Sequence, residues 1–317
     1  MQEFTIGKNE AGQRLDKYLG RILKEAPVSF FYKMMRKKNI VLNGAKCTGK
    51  EQLSIGDSVK LFLSDETIEK FSGSGRVNNA ASSYPYKKLD IVYEDDDVIF
   101  VNKPSGMLTQ KAAPTDVSLN EYIIGYLLHE GKIDEAQLRT FKPSVCNRLD
   151  RNTSGLVLAG KSMQGSRELS RMIKDRTLEK YYITVVKGRI ERDSSVCGLL
   201  IKDEASNKVS VRPLDADTAA NGDERFIRTD YRVLGHSEDY TVLEVHLITG
   251  RPHQIRAHLA MLGHPVLGDY KYGDRQINEK YKLKDQLLHA YRVVLPDGRE
   301  YRASVPSKLE TFTRSIL

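Results

Sequence analysis

Two stretches of this 317-residue chain concentrate side chains that could do chemistry. In Asn147-Arg148-Leu149-Asp150-Arg151-Asn152-Thr153-Ser154-Gly155, a carboxylate stands between two guanidinium groups just before a glycine-punctuated apolar run. Nearby cations favour the charged form of an acid, so Asp150 is expected to stay an anion, fit to serve as nucleophile or base. The plainer alternative is a structural Asp–Arg pair. The second stretch, residues 247–273, reads LITGRPHQIRAHLAMLGHPVLGDYKYG. Pro252 suits a first helical turn and Gly263 the stop after it, which predicts a helix over Pro252–Leu262. Its opening turn holds Arg251, His253 and Gln254, with Arg256 one turn on. His253 and Arg256 are three residues apart and share a face, while Ile255, Leu259 and Leu262 can face the core. Two arginines at a helix N-terminus can hold a phosphate or a carboxylate. Surface salt bridging is the alternative.

Other patterns carry less. Gly44-Ala45-Lys46-Cys47-Thr48-Gly49-Lys50 has the spacing of a phosphate-binding loop. Glu51 follows where a magnesium-holding hydroxyl belongs, however, and the next element reads as turn and strand instead of helix, so no nucleotide site is expected. His246, His253, His258 and His264 lie close in sequence, but His253 and His258 are five apart and point differently on a helix, so no metal site is expected. The acidic run Glu94-Asp95-Asp96-Asp97 lacks the glycine and terminal glutamate of a calcium loop and reads as a solvated hairpin turn.

The elements that must position these residues follow from composition and periodicity. The length accommodates two domains and a sizeable core without staples. Three single cysteines (Cys47, Cys146, Cys197) fit a reducing compartment and argue against a disulfide framework. Neither a membrane span nor a secretory signal is apparent, so a cytoplasmic protein is expected. Residues 1–63 contain 12 of the 50 basic side chains and only 6 of the 42 acidic ones. A compact basic module on a near-neutral body is an electrostatic handle for a polyanion.

Within that module, Leu15, Leu19, Ile22 and Leu23 form a helical stripe ended by Pro27. Ser29 is placed to cap a second helix, Phe30–Lys38. Asn43-Gly44 and Ile55-Gly56-Asp57 mark turns around short strands at Ile40–Leu42 and Val59–Phe62. Residues 64–85, rich in Ser, Gly and Asn, read as a flexible linker that would let the module search while tethered. Residues 86–317 form the second domain. Strands are expected at Leu89–Tyr93, Val98–Asn102, Leu156–Ala159, Tyr181–Val186, Lys208–Val211, Arg228–Leu234 and Tyr240–Ile248. Helices are expected at Leu119–His129 and Ser162–Ile173 besides Pro252–Leu262. Without regular strand–helix alternation this is an α+β fold, a mainly antiparallel mixed sheet with flanking helices, preceded by a small α/β domain.

NRLDRNTSGLVLAGKS, KYYITVVKG and the 247–273 block, in that order, resemble the three sequence blocks of the large-subunit ribosomal RNA pseudouridine synthases (the RluA family). VYEDDDVIFVNKPSGML and LLHAYRVVLP extend the match. QRLDKYLGRILKEA, MRKKN, IVLNGAKC and IGDSVKLFL are similar to the small S-four-type RNA-binding domain that often precedes these enzymes. The resemblance implies that Asp150 is the essential catalytic aspartate, Tyr182 the tyrosine contacting the target base and Arg256 the arginine pairing with the aspartate. Arg148, Arg151, Arg251 and His253 would lie on the substrate side, and Arg14, Arg36, Lys37 and Lys38 would be RNA-facing on the small domain. One position departs from the family, which usually has His or Gly before Arg-Leu-Asp, where this chain has Asn147. The implied reaction turns uridine, in 23S ribosomal RNA above other RNAs, into pseudouridine by breaking and remaking a bond to the same sugar. It needs no cofactor, nucleotide or metal. A monomer with RNA as its partner is expected. The alternatives are an RNA-binding ribosome assembly factor without catalysis and a DNA-binding regulator. The candidate catalytic residues argue against the first, and the lack of a recognition helix with a dimer element argues against the second.

Overall fold

The computed structural model describes residues 1–72, 84–135, 137–203, 208–214 and 224–317. The N-terminal unit has helices α1 (Leu15–Ile22) and α2 (Val28–Arg36) against four strands, β1 (Gln2–Thr5), β2 (Ile40–Leu42), β3 (Ala45–Lys46) and β4 (Ser58–Leu61). The strands are ordered β1-β4-β2-β3 and are all antiparallel. Asn43 and Gly44 both take positive φ, 51° and 74°, the two-residue turn that matches strand twist between β2 and β3. Leu15, Leu19, Ile40, Val59 and Leu61 are completely buried between the helices and the sheet. The second helix starts at Val28, two residues earlier than expected, because the extended Pro27 and not Ser29 stands at its N-cap. The linker expected over 64–85 is corrected at its start. Asp65–Ser72 forms helix α3, which buries Ile68 and lays Phe71 on Phe30 with ring centroids 4.7 Å apart. Residues 73–83 of that expected linker lie outside the described residues.

The second unit is built on one large sheet. Its strands are β5 (Ile91–Glu94), β6 (Val98–Lys103), β7 (Ser144–Val145), β8 (Ser154–Gly160), β9 (Glu179–Lys187), β10 (Ser194–Asp203), β11 (Lys208–Pro213), β12 (Arg225–His236), β13 (Tyr240–Leu247), β14 (Leu288–Val294) and β15 (Glu300–Arg302). They run β11-β10-β12-β13-β9-β14-β8-β6-β5, with β7 beside β8 and β15 beside β14. The sheet is mixed, because β8 and β14 pair in parallel and the other pairings are antiparallel. Its helices are α4 (Leu119–His129), α5 (Gln137–Thr140), α6 (Met163–Lys174), α7 (Gln254–Met261), α8 (Arg275–Lys280) and α9 (Ser307–Ile316). Leu119, Ile123 and Leu127 of α4, and Ile255 and Leu259 of α7, share one core with Val157, Tyr182, Val186 and Val245. Leu169 of α6 packs with Phe100, Leu156 and Leu158, and Leu309 of α9 with Val185 and Val242, in two separate cores. Every residue of β8 is buried, as a strand covered on both faces must be.

The two units meet through polar contacts. Lys8 pairs with Asp97 at 3.0 Å, Arg21 Nη1 donates to the carbonyl of Thr140 at 2.8 Å, and Arg167 Nη2 donates to the carbonyl of Gly12 at 2.6 Å. The basic module is therefore seated on the body by side chains from both units.

Candidate active site

The loop between β7 and β8 carries Asp150, and its backbone is held from several sides. Asn147 Nδ2 donates to the carbonyl of Leu156 (3.2 Å), and Oδ1 accepts the amide of Leu158 (2.8 Å). The residue that departs from the family is thus an anchor of the loop to β8. Thr109 Oγ1 donates to the carbonyl of Leu149 (2.8 Å) and accepts its amide (3.2 Å). Lys103, completely buried, gives its ammonium to the carbonyls of Pro104, Met107 and Arg151 at 2.9–3.1 Å. Burial pushes Lys103 down to about 8, opposed by the charges of Asp150 and Asp285. Sequence reading missed Lys103 and Thr109 as supports. Their signal is that both fall in one short stretch with Pro104 and Gly106, just after an apolar strand.

The cation on Asp150 comes from the other end of the chain. Arg256 Nη1 donates to Asp150 Oδ2 at 2.7 Å. Its Nε and Nη2 make a fork onto Asp269, at 2.7 and 2.9 Å. The flanking arginines do not supply this partner: Arg148 is exposed, and the exposed Arg151 donates to the carbonyl of Gly106 at 3.1 Å. Asp269 is buried and also accepts the amides of Lys271 and Tyr272. Burial works against the charge on Arg256, but hydrogen bonds and charge from Asp269, then Asp150, raise its pKa overall. Asp269 was legible only as a carboxylate set in the apolar run HPVLGDY, where an acid needs a partner.

The helix carrying Arg256 begins at Gln254, two residues later than expected, because His253 takes the N-cap with a left-handed φ of 53°. Buried Gln254 locks this entry. Its Nε2 donates to the carbonyl of Arg228 and to Thr229 Oγ1, both at 3.0 Å, and its Oε1 accepts from Thr249 Oγ1 and the amide of Arg251. Tyr182 comes from β9, on the sheet face opposite Tyr181, and burial and the Asp150 charge both push its phenol up.

Asp150, Tyr182, Arg256, Arg148, Arg251 and His253 converge on one cleft of about 890 Å³, which Lys180 and Arg176 also line. Burial, then Arg176, lowers the pKa of Lys180. A single carboxylate ringed by cations is suited to drawing in a polyanion and acting on it as nucleophile or base. The other RNA-facing candidates belong to the N-terminal unit. Arg14 pairs with Asp16 at 2.6 Å, while Arg36, Lys37 and Lys38 stand exposed at the end of α2.

The remaining sequence candidates resolve locally. Glu51 accepts the amides of Thr48 and Gly49, both at 2.7 Å, so the chain's own carboxylate occupies the phosphate-loop-like turn. Glu94 pairs with Lys132 and Lys161, and Asp95 accepts the amides of Asp97 and Val98, closing the hairpin. The histidines are dispersed: His246 stacks on Tyr181, His258 meets Thr229, and His264 meets the carbonyl of Lys187.

Asp150 on its buried arginine and the buried Tyr182 face one cleft over the large mixed sheet, and the comparisons with known proteins show the class of enzyme that carries them. A family model described as RNA pseudouridylate synthase matches residues 97–261. Ribosomal large subunit pseudouridine synthase C of Vibrio cholerae serotype O1 is 30% identical over 328 residues, spanning 100% of this chain and 96% of that protein. Ribosomal large subunit pseudouridine synthase D of Nitrosomonas europaea is 28% identical, spanning 92% of this chain and 80% of that protein. The solved structure of Human RNA Pseudouridylate Synthase Domain Containing 4 superposes with a TM-score of 0.57 at 20% identity, covering 69% of this chain and 90% of that one. The chain belongs to the RNA pseudouridylate synthase family.

Proposed function

We propose that this pseudouridine synthase acts on uridines of large-subunit ribosomal RNA, 23S in bacteria, and that Asp150 is the group that engages the ribose. The Arg256–Asp150 contact of 2.7 Å, opening on a cationic cleft, carries this reading. The target nucleotide must leave its stack to reach Asp150, at a cost of a few kcal/mol. Arg148, Arg251 and Lys180 line the cleft, and their charges hold the displaced backbone by its phosphates. Arg256 occupies one oxygen of Asp150 and keeps the carboxylate aimed. The carboxylate then either attacks C1′, displacing uracil from the C1′–N1 bond, or removes the proton on C2′ as that bond breaks, to give a glycal; in both routes the freed uracil turns over and its C5 joins C1′. Tyr182 stacks on the freed uracil and handles the proton at carbon five. The N-terminal unit serves as an S-four-type RNA-binding domain, and Arg36, Lys37 and Lys38 are its RNA-facing cations.

Pseudouridine mapping of total RNA, with and without the gene, tests the assignment. Signal lost at one or a few ribosomal uridines should return with wild type and not with Asp150→Asn, whose turnover should fall at least a thousandfold, on the order of a deleted catalytic carboxylate. RNA affinity should stay nearly intact. Full rescue by Asp150→Asn would remove Asp150 from the chemistry. Unchanged ribosomal, transfer and messenger RNA would favour a non-catalytic assembly factor.

A further inference from the structure

Asp150 has a second oxygen, and what faces it is specific. Oδ2 is taken by Arg256, while Oδ1 looks at His253 Nε2 across 4.0 Å. That is beyond hydrogen-bond reach, so a hydroxyl, which both accepts and donates, can bridge the two groups. The protonation of His253 follows from its other side. Nδ1 lies 2.9 Å from Tyr272 Oη, which already accepts the amide of Val209 at 2.9 Å. Among the described residues Nδ1 is the acceptor within reach of the phenolic proton, and a proton placed there leaves the imidazole's own proton on Nε2, toward Asp150. The ring is held where it is. His253 is half-buried, its backbone is left-handed at 53°, its neighbour Gln254 is locked on both sides, and its ring meets Tyr272 edge-on at 5.7 Å.

We propose that His253 and Asp150 bracket the ribose 2′-hydroxyl of the target nucleotide. His253 Nε2–H donates to it and Asp150 Oδ1 accepts from it, and Tyr272 is the positioning residue that sets the tautomer. The inference rests on the reading of Asp150 as the group acting on the ribose. Whether Asp150 engages C1′ or the 2′ proton, the 2′-oxygen is at most two bonds away. The arrangement gives the enzyme a direct way to tell RNA from DNA at the reacting nucleotide.

The test pairs protein and substrate changes. A synthetic large-subunit ribosomal RNA fragment is made with either a 2′-hydroxyl or a 2′-deoxy sugar at the modified uridine. Single-turnover rates and equilibrium Kd are then measured for wild type and variants. The deoxy penalty includes an intrinsic change in sugar reactivity that is common to all the enzymes, so it cancels in the ratio of penalties. In His253→Asn, the new side chain tolerates the left-handed backbone but is too short to reach. The penalty should shrink roughly tenfold, the worth of one lost hydrogen bond in a partly desolvated site. His253→Gln, whose longer amide can place an N–H near the Nε2 position, should keep most of the discrimination, and Tyr272→Phe should lose part of it. Equal penalties in wild type and His253→Asn would overturn the proposal and leave the gap to water. If His253→Asn does not fold by thermal melting, an unchanged penalty in Tyr272→Phe overturns it instead. Failure of the underlying reading is seen separately, as turnover by Asp150→Asn on the all-ribose RNA.

Discussion

Arg256 is anchored more firmly to Asp269 than to Asp150, with two donors on the former and one on the latter. The arginine's side chain is 8% exposed and that of Asp269 fully buried, so the fork is a desolvated ion pair whose disruption leaves a charge without its best partner. Asp269→Asn should therefore cost about 3–5 kcal/mol in urea unfolding. It should also lower kcat more than it raises KM, because the aim of Asp150 loosens. Asp150→Asn leaves the fork in place and should change stability by less than about 1 kcal/mol while removing turnover. Equal destabilisation by the two substitutions would show that the arginine is not anchored where the geometry puts it.

At the scale of elements, the site depends on how closely β8 and β14 approach. Gly155, the second residue of β8, has a φ of 114°, and a Cβ there would lie 2.2 Å from the carbonyl oxygen of Ala290 on β14. Gly155→Ala meets both strained backbone and rigid backbone contact, at the parallel seam between β8 and β14 and five residues from Asp150. A loss of at least ~2 kcal/mol is expected, more than Ala costs at an unobstructed positive φ, together with slowed turnover. A thermal melt within a degree of wild type would refute the close approach. The same seam explains why β14 escapes a reading by periodicity. Leu288–Val294 mixes His, Tyr and Arg with apolar residues because Ser154 of β8 meets His289 and Glu244 of β13 meets Tyr291 and Arg292, and no alternation results. The strand β10 escapes for a related reason, since Gly198 interrupts it and pairing with β11 and β12 sustains it.

Over the whole molecule, charge and protonation set the working conditions. His289 is completely buried on β14, with Nδ1 2.8 Å from Ser154 Oγ, and burial pushes it down to about 4. Below pH 6.5 the unfolded chain takes up a proton at this position that the folded chain refuses. Stability is then lost as pH falls from 6.5 through 4, to a total of ~3 kcal/mol. His289→Gln, which does not titrate, should flatten the urea midpoint across that window, and an unaltered slope would place the acid sensitivity elsewhere. In the proposed function the basic N-terminal unit acts at long range. Deleting residues 1–72, the whole packed unit including α3, should weaken RNA binding and reduce the slope of log affinity against log salt, because fewer counterions are released. An unchanged slope would move the electrostatic handle to the cleft.

Several features were legible from residue types alone because they depend on neighbours in sequence. The helical stripe of α1, the Asn43-Gly44 turn, the basic excess before residue 64 and the order of the three blocks all appear without any fold. The choice of Asp150, Tyr182 and Arg256 came from the family resemblance, and the structure brings the three to one cleft. Only tertiary structure decided which cation holds Asp150. Arg148 shares its cleft without bonding it, Arg151 bonds the carbonyl of Gly106, and the arginine that reaches it lies 106 positions along the chain. Lys103, Asp269 and Tyr272 were likewise not read as supports, and helix α3 was read as linker. Sequence pattern reports local backbone preference and one-sided burial, whereas an ion pair or a carbonyl cradle between distant segments exists only once strand order has brought those segments together.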